Sequence, residues 1–422
     1  MWEAGMQSID SCEWFEGEFE LPGDKSITHR AIMFNGGAEG EAIIKNALMG
    51  EDCLSTCSCM RALGAKIEID GTTLRVKGTP HFRRGTELNC GNSGTTIRLL
   101  SGFVAGKGVD AKLYGDESLS SRPMGRIAEP LSELGAKIQT TDGHAPVYVA
   151  PALLQGADVE LNIASAQVKS AILLAGISAG GETSVTEPVK SRDHTERMLA
   201  AMGADVHVVG NRVTVKKSCL HSVDVDVPSD ISSAAYFMAL GALKGRTLCK
   251  NVGMNVTRTG ILKAFDQLGV RYSLLNRRVS GGEETADVLV EKSDMRSIIL
   301  TAEDAPSMID ELPLVALLCA FAEGESRIVG VKELRVKESD RIRTTAELIR
   351  NIGGDCEELE DGFVIRGKKQ LVGGNVDSYL DHRIAMTAAV GLLASKNGGN
   401  ILRPDCCAIS FPDFFEKLGI RS

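Results

Sequence analysis

A short pattern, a helix end closed by glycine and followed at once by a strand, recurs six times along the 422 residues. It reads MRALGAKIEID from Met60, LSELGAKIQTT from Leu131, MLAAMGADVHVV from Met198, FDQLGVRYSLL from Phe265, LIRNIGGDCEEL from Leu348 and FFEKLGIRS from Phe414. A unit that recurs at such spacing is one supersecondary element used repeatedly, which leaves few architectures open. The closing glycines are Gly64, Gly135, Gly203, Gly269, Gly353 and Gly419, at successive intervals of 71, 68, 66, 84 and 66 residues. Each stands where a helix needs a C-terminal residue able to turn left-handed. Alternating stretches follow most copies, such as TTLRVKG from Thr72, PVYVA from Pro146 and RVTVKK from Arg212, and these predict the second arm of a hairpin.

Upstream of each copy a polar cluster opens a helix rich in Ala and Leu. The six openings are KSITHR from Lys25, SGTTIRLL from Ser93, SAQVKSA from Ser165, SSAAYFM from Ser232, DELPLVALL from Asp310 and DHRIAM from Asp381. A helix apolar on most faces must be surrounded by other structure, whereas its N-terminus can open on a cleft. Unpaired N–H groups and the helix dipole make such N-termini favourable for anions. The expected fold is α/β, with two domains of three such units each and ligands bound between them. The crossings are expected near Leu21 to Gly23 and Val227 to Ser229, where Pro22 and Pro228 break the pattern.

With 47 Lys and Arg against 56 Asp and Glu, the formal net charge of −9 argues against a general binder of nucleic acid or anionic membrane. Anionic ligands must then be gripped locally. No apolar run reaches the length of a membrane span, and Glu3, Asp10, Glu13 and Glu16 stand where a secretory signal would want positive charge, so the expected location is cytoplasmic. The 11 cysteines show no paired Cys-x-x-Cys motifs and read as reduced, buried thiols, with no metal site expected.

Eight charged or polar clusters are open to two readings each. Lys25, Ser26 and Arg30 form either a solvated helix start or a phosphate or carboxylate site. In NCGNSGTTIRLL, Gly94 lets a ligand approach the backbone, or Ser93 or Thr95 simply caps a helix. Arg122, before Pro123, is a loop residue, solvated unless a ligand claims it. In SAQVKS, which also carries Lys169, Ser165 and Gln167 offer partners for hydroxyls and carboxylates, or the segment is a cap and an exposed lysine. Arg192 in SRDHTE is a ligand or half of a local Arg–Asp pair, and Asp310 is a site carboxylate or a cap. Lys337, Glu338, Asp340, Arg341 and Arg343 form a solvated charge run or an anion site, and Asp381, His382 and Arg383 a cap with neighbours or a site.

Taken in order, LPGDKSITHR, GNSGTTIRL, SSRPM, SAQVKSA, SRDHTE, RVKESDRI and DHRIAM resemble the signatures of 5-enolpyruvylshikimate-3-phosphate synthases along essentially the whole chain, closest to the bacterial branch called class II. That resemblance implies two domains of three βαβαββ units, an inverse α/β barrel with the active site in the interdomain cleft. It implies residues 1–22 and 228–422 as a discontinuous domain with the catalytic carboxylates and phosphoenolpyruvate arginines, and 23–227 as the shikimate-3-phosphate domain. The implied reaction transfers the enolpyruvyl group of phosphoenolpyruvate to the 5-hydroxyl of shikimate 3-phosphate through a tetrahedral intermediate that expels phosphate.

Carried over residue by residue, the resemblance implies Asp310, Glu338 and Lys25 as proton-transfer groups. It implies Lys25, Ser26, Arg30, Ser165, Gln167, Arg192, Asp310 and Lys337 as shikimate-3-phosphate contacts. For phosphoenolpyruvate it implies Lys25, Gly94, Arg122, Gln167, Arg341 and Arg383. It further implies a monomer with no cofactor, no nucleic-acid or membrane partner, and glyphosate as inhibitor because Gly94 is retained. Two departures stand out: Leu99 replaces a Pro of many relatives, and Ile409 occupies a commonly basic position. The related UDP-N-acetylglucosamine enolpyruvyltransferases carry a loop Cys before their Arg-Pro motif, and none lies between Gly91 and Arg122. An RNA 3′-phosphate cyclase-like protein would want a basic surface, and a non-catalytic relative would have lost Asp310 and Glu338.

Overall fold

The computed structural model describes residues 5–280 and 283–420, so Glu3 and the last two residues of the sixth repeat copy lie outside the described residues. The chain divides into two compact units. One is Gly23–Val227, and the other gathers the stretch up to Pro22 with Pro228–Val279 and the stretch from Glu283 onward.

Within Gly23–Val227 the repeat folds into three four-stranded sheets. Thr86–Asn89 runs parallel to Ala111–Tyr114, which pairs antiparallel with His144–Ala150, itself hairpinned to Lys137–Thr141. Asp158–Glu160, Glu182–Thr186, Arg212–Lys216 and Val206–Val209 repeat that order. In the third sheet, Glu41–Lys45, Thr73–Lys77 and Lys66–Asp70 are joined by Val225–Asp226, so the last strand of the unit closes its first sheet.

The other unit closes in the same way across a longer separation in sequence. Phe15–Phe19 lies parallel to Gly245–Gly253. The sixth repeat copy ends in the short helix Phe414–Lys417 with no strand after it among the described residues, and Met6–Ile9 supplies the antiparallel partner of Gly399–Leu402 in a three-stranded sheet. All six repeat glycines are left-handed, with φ between 75° and 118°.

Each unit wraps its sheets around three buried helices: Lys25–Gly36, Gly94–Lys107 and Ala166–Gly176 in one, and Ile231–Lys244, Leu312–Phe321 and His382–Ala394 in the other. Small residues allow this packing. A Cβ at Gly102 would lie 2.0 Å from the Ala171 carbonyl oxygen, so the backbones meet with no room for a side chain. Side chains of Asp24, Ser93, Ser165, Asp230 and Asp381 cap five of these helices. Nine of the 11 cysteines are buried and all are free.

Candidate active site

In Gly23–Val227 the N-termini of the buried helices carry the candidate phosphate-binding residues. Capping by Asp24, whose side chain accepts the Ile27 N–H at 2.9 Å, starts the helix at Lys25. The Lys25 ammonium forms an ion pair with Asp52, in the first turn of the helix Glu51–Leu63, a partner that no local sequence pattern singles out. Arg30 is buried. It donates to the hydroxyls of Thr195 at 2.6 Å and Ser170 at 2.9 Å, and to the Ser26 carbonyl at 2.9 Å. Arg192 reaches the Ser26 hydroxyl at 3.5 Å. Ser26, Arg30 and Arg192 are thus brought together.

A second group surrounds Gly94. Ser93, not Thr95, is the cap, accepting the Thr96 N–H at 3.1 Å. A Cβ on Gly94 would sit 3.1 Å from Nη1 of both Arg98 and Arg122, so the glycine lies between two guanidinium groups. Arg122 donates to Asn92 and is buried, which removes the solvated alternative. Gln167 accepts from Arg98 at 2.5 Å and donates to Thr95 at 3.0 Å. Arg98, one turn beyond Gly94 on the same helix face, is a member that sequence spacing had the signal to find. Ser165 caps its helix through the Val168 N–H at 3.4 Å.

Lys169 corrects an expectation. It is 1% exposed, with Nζ 2.8 Å from Glu187 and 2.7 Å from Glu196. An apolar helix interior leaves a lysine there no solvent, so two carboxylates hold its charge.

In the other unit the charge run from Lys337 to Arg343 is only partly solvated. Arg341, also 1% exposed, donates through Nε to Asp381 at 2.9 Å and through Nη2 to Glu338 at 2.6 Å and Asp381 at 3.2 Å, while Nη1 reaches Asp310 at 3.3 Å. These bonds occupy four of its five donors. Burial disfavours the guanidinium charge, but Asp381, Glu338 and Asp310 outweigh burial and hold its pKa above the usual range. Asp310 is therefore not a helix cap: Glu311 occupies the N-cap position, and its side chain makes no capping bond.

Arg383 is buried beside the Tyr236 hydroxyl, whose pKa is pushed up to about 12 chiefly by burial. Its own pKa is raised: burial opposes this, and Tyr236, Asp310, Asp230 and Glu311 overcome it. Lys337 lies 3.4 Å from Glu333, and burial lowers its pKa against the pull of Glu333 and Asp310. Buried Arg258, bonded to Asp230 at 3.1 Å and Ser232 at 2.8 Å, ties the start of the Ile231–Lys244 helix into the same charged region. Ile409 is buried. Among the described residues no group of His, Cys, Asp and Glu could hold a metal ion, and no helix is long and apolar enough to cross a membrane.

Residues 10–418 match the family model described as EPSP synthase (3-phosphoshikimate 1-carboxyvinyltransferase). A 3-phosphoshikimate 1-carboxyvinyltransferase of Desulforudis audaxviator is 46% identical over 424 residues, covering 97% of this chain and 98% of that one. The solved EPSP synthase of Acinetobacter baumannii superposes with a TM-score of 0.86 at 41% identity, covering 97% and 96%. The enolpyruvyl transferase NikO of Streptomyces tendae, 20% identical, shares the fold with a TM-score of 0.79 over 99% and 98% of the two chains.

Proposed function

This chain belongs to the EPSP synthase (3-phosphoshikimate 1-carboxyvinyltransferase) family, and from that membership we propose how its residues divide the work of the reaction. The enzyme transfers the enolpyruvyl group of phosphoenolpyruvate to the 5-hydroxyl of shikimate 3-phosphate, releasing phosphate. In the addition step the hydroxyl oxygen bonds to C2 of phosphoenolpyruvate, the hydroxyl proton goes to a base, and C3 gains a proton. In the elimination step C3 loses a proton and the C2–O bond to phosphate breaks.

The observation that carries the assignment of roles is the guanidinium of Arg341 facing three carboxylates. Pairing with a buried cation favours the ionised carboxylate, which suits Asp310 to accept the hydroxyl proton. A substrate oxyanion that binds Arg341 through two donors needs more than the one Nη1 donor left open, and so displaces Asp310 or Glu338. The displaced carboxylate then loses its counter-charge and gains proton affinity, which suits Glu338 to deliver a proton to C3. Lys25, paired with Asp52 in its ammonium form, is the second proton carrier.

Arg341 and Arg383, with Arg122, Gly94, Lys25 and Gln167, are assigned to phosphoenolpyruvate, because fixed guanidinium forks suit carboxylate and phosphate. Ser26, Arg30, Ser165 and Arg192, with Lys25, Gln167, Asp310 and Lys337, are assigned to shikimate 3-phosphate. By this assignment Gly23–Val227 is the shikimate-3-phosphate unit and the other unit carries the catalytic carboxylates. The same reading takes the enzyme as a cytoplasmic monomer in which glyphosate competes with phosphoenolpyruvate.

The deciding measurement is phosphate release from phosphoenolpyruvate with shikimate 3-phosphate, with UDP-N-acetylglucosamine as control acceptor. Release that depends on shikimate 3-phosphate is expected; release with the UDP-sugar alone would reassign the acceptor.

A further inference from the structure

We propose that Lys169 is a positioning residue for the phosphorylated acceptor, fixing Arg192 by clamping the chain on both sides of it. The inference rests on the assignment of Arg192 to shikimate 3-phosphate and adds to it a residue that touches no substrate.

Before Arg192, the clamp acts through Glu187, which is buried at the end of the strand Glu182–Thr186. One Glu187 oxygen meets Lys169 Nζ at 2.8 Å and accepts the Ser191 N–H at 3.3 Å; the other accepts the Ser191 hydroxyl at 2.5 Å. Lys169 and Glu187 thereby fix the residue immediately preceding Arg192. Beyond Arg192, Lys169 Nζ lies 2.7 Å from Glu196, in the first turn of the helix His194–Ala201. The next residue of the lysine's own helix adds a third hold, since the Ser170 and Thr195 hydroxyls are 2.6 Å apart.

One buried cation thus faces two buried carboxylates on opposite flanks of a single arginine. Both carboxylates are drawn to the same point, and without the cation they would repel each other in a medium that screens little. The chain carrying Arg192 would then relax, and its guanidinium would leave the place that brings it 3.5 Å from the Ser26 hydroxyl. Misplacing one binding group weakens the ligand it holds and leaves chemistry at other groups intact.

The test is steady-state kinetics with each substrate varied in turn for the wild type, Lys169→Met, Lys169→Arg and Ser191→Ala. In Lys169→Met the KM for shikimate 3-phosphate should rise roughly tenfold or more, while kcat and the KM for phosphoenolpyruvate change less than about threefold. Lys169→Arg, which keeps the charge, should recover part of the loss. If Lys169→Met does not fold, Ser191→Ala decides, since it removes the stronger hydroxyl bond from Ser191 to Glu187 and leaves only the longer N–H bond. A KM for shikimate 3-phosphate raised about threefold supports the clamp, and an unchanged one overturns it. A wild type that turns over while folded Lys169→Met keeps the wild-type KM overturns the positioning role alone. A wild type inactive with shikimate 3-phosphate overturns the acceptor assignment, and the positioning role falls with it.

Discussion

Asp381 turns one carboxylate oxygen to Nε of Arg341 at 2.9 Å and the other to Nη2 at 3.2 Å, so the two buried side chains meet as a two-point fork. The same carboxylate accepts the Arg383 N–H at 2.9 Å and the Ser339 hydroxyl at 2.9 Å. One residue therefore aims Arg341 and starts the helix that carries Arg383.

Asp381→Asn tests this arrangement with little change in volume. The amide must turn an NH2 group toward the guanidinium or the helix N–H groups, losing acceptors and the counter-charge. The expected loss in kcat/KM for phosphoenolpyruvate is about a hundredfold, near 3 kcal/mol. A loss below about threefold in steady-state assays would show that Arg341 does not depend on Asp381 for its aim.

Gly94→Ala places a methyl group 3.1 Å from Nη1 of Arg98 and of Arg122. Both are the far ends of flexible side chains, so a shift of a few tenths of an ångström accommodates the methyl without unfolding the helix. Thermal stability should change by less than about 1 kcal/mol. The KM for phosphoenolpyruvate should rise severalfold and the inhibition constant for glyphosate by a larger factor. Equal sensitivity to glyphosate in the two enzymes would remove Gly94 from the inhibitor's site.

Asp310→Asn and Glu338→Gln each remove one carboxylate from Arg341 while keeping a polar side chain. If both transfer protons, kcat should fall by a factor on the order of 10²–10⁴ in each, while the dissociation constant of shikimate 3-phosphate stays within about tenfold. Calorimetric titration beside turnover separates the two effects. Near-normal kcat in either variant removes that residue from proton transfer.

The repeat made much of this legible in advance. Glycine at a helix end has one physical use there, and all six repeat glycines take the left-handed backbone that use demands. The six apolar helices were equally plain, because residues apolar on every face exclude a surface position. Partners were harder to read. Asp52 pairs with Lys25 from 27 residues away and Arg341 meets Asp381 across 40, and no local pattern encodes which charge will face which. Lys169 looked exposed because lysine usually is. Only the positions of Glu187 and Glu196 reveal otherwise.

Lys337 gives a pH-dependent expectation. Burial lowers its pKa from the usual lysine value, although Glu333 and Asp310 pull the other way. Its ammonium is thus lost at a lower pH than that of a solvated lysine. If it binds shikimate 3-phosphate, the KM for that substrate should begin to rise with pH below the ordinary lysine range. Lys337→Arg keeps its charge throughout and should move that alkaline limb upward. Superimposable profiles for the two enzymes would separate Lys337 from the bound phosphate ester.

His29 ties stability to acid. The ring is fully buried in the Lys25–Gly36 helix; Nδ1 lies 2.7 Å from the Thr56 hydroxyl, and Nε2 has no hydrogen-bond partner among the described residues. Burial first, then the charges of Lys25 and Arg30, push its pKa well below 6.5. Below that pH the unfolded chain binds a proton that the folded chain does not, so the folded state loses stability as pH falls, while above it the contribution is constant. The slope from one such group is about 1.4 kcal/mol per pH unit, down to the pKa of the folded form. In urea unfolding between pH 7.5 and 5, His29→Gln should lose less stability on acidification than the wild type, whatever its stability at neutral pH. Parallel profiles for the two proteins would mean that His29 takes up its proton as readily folded as unfolded.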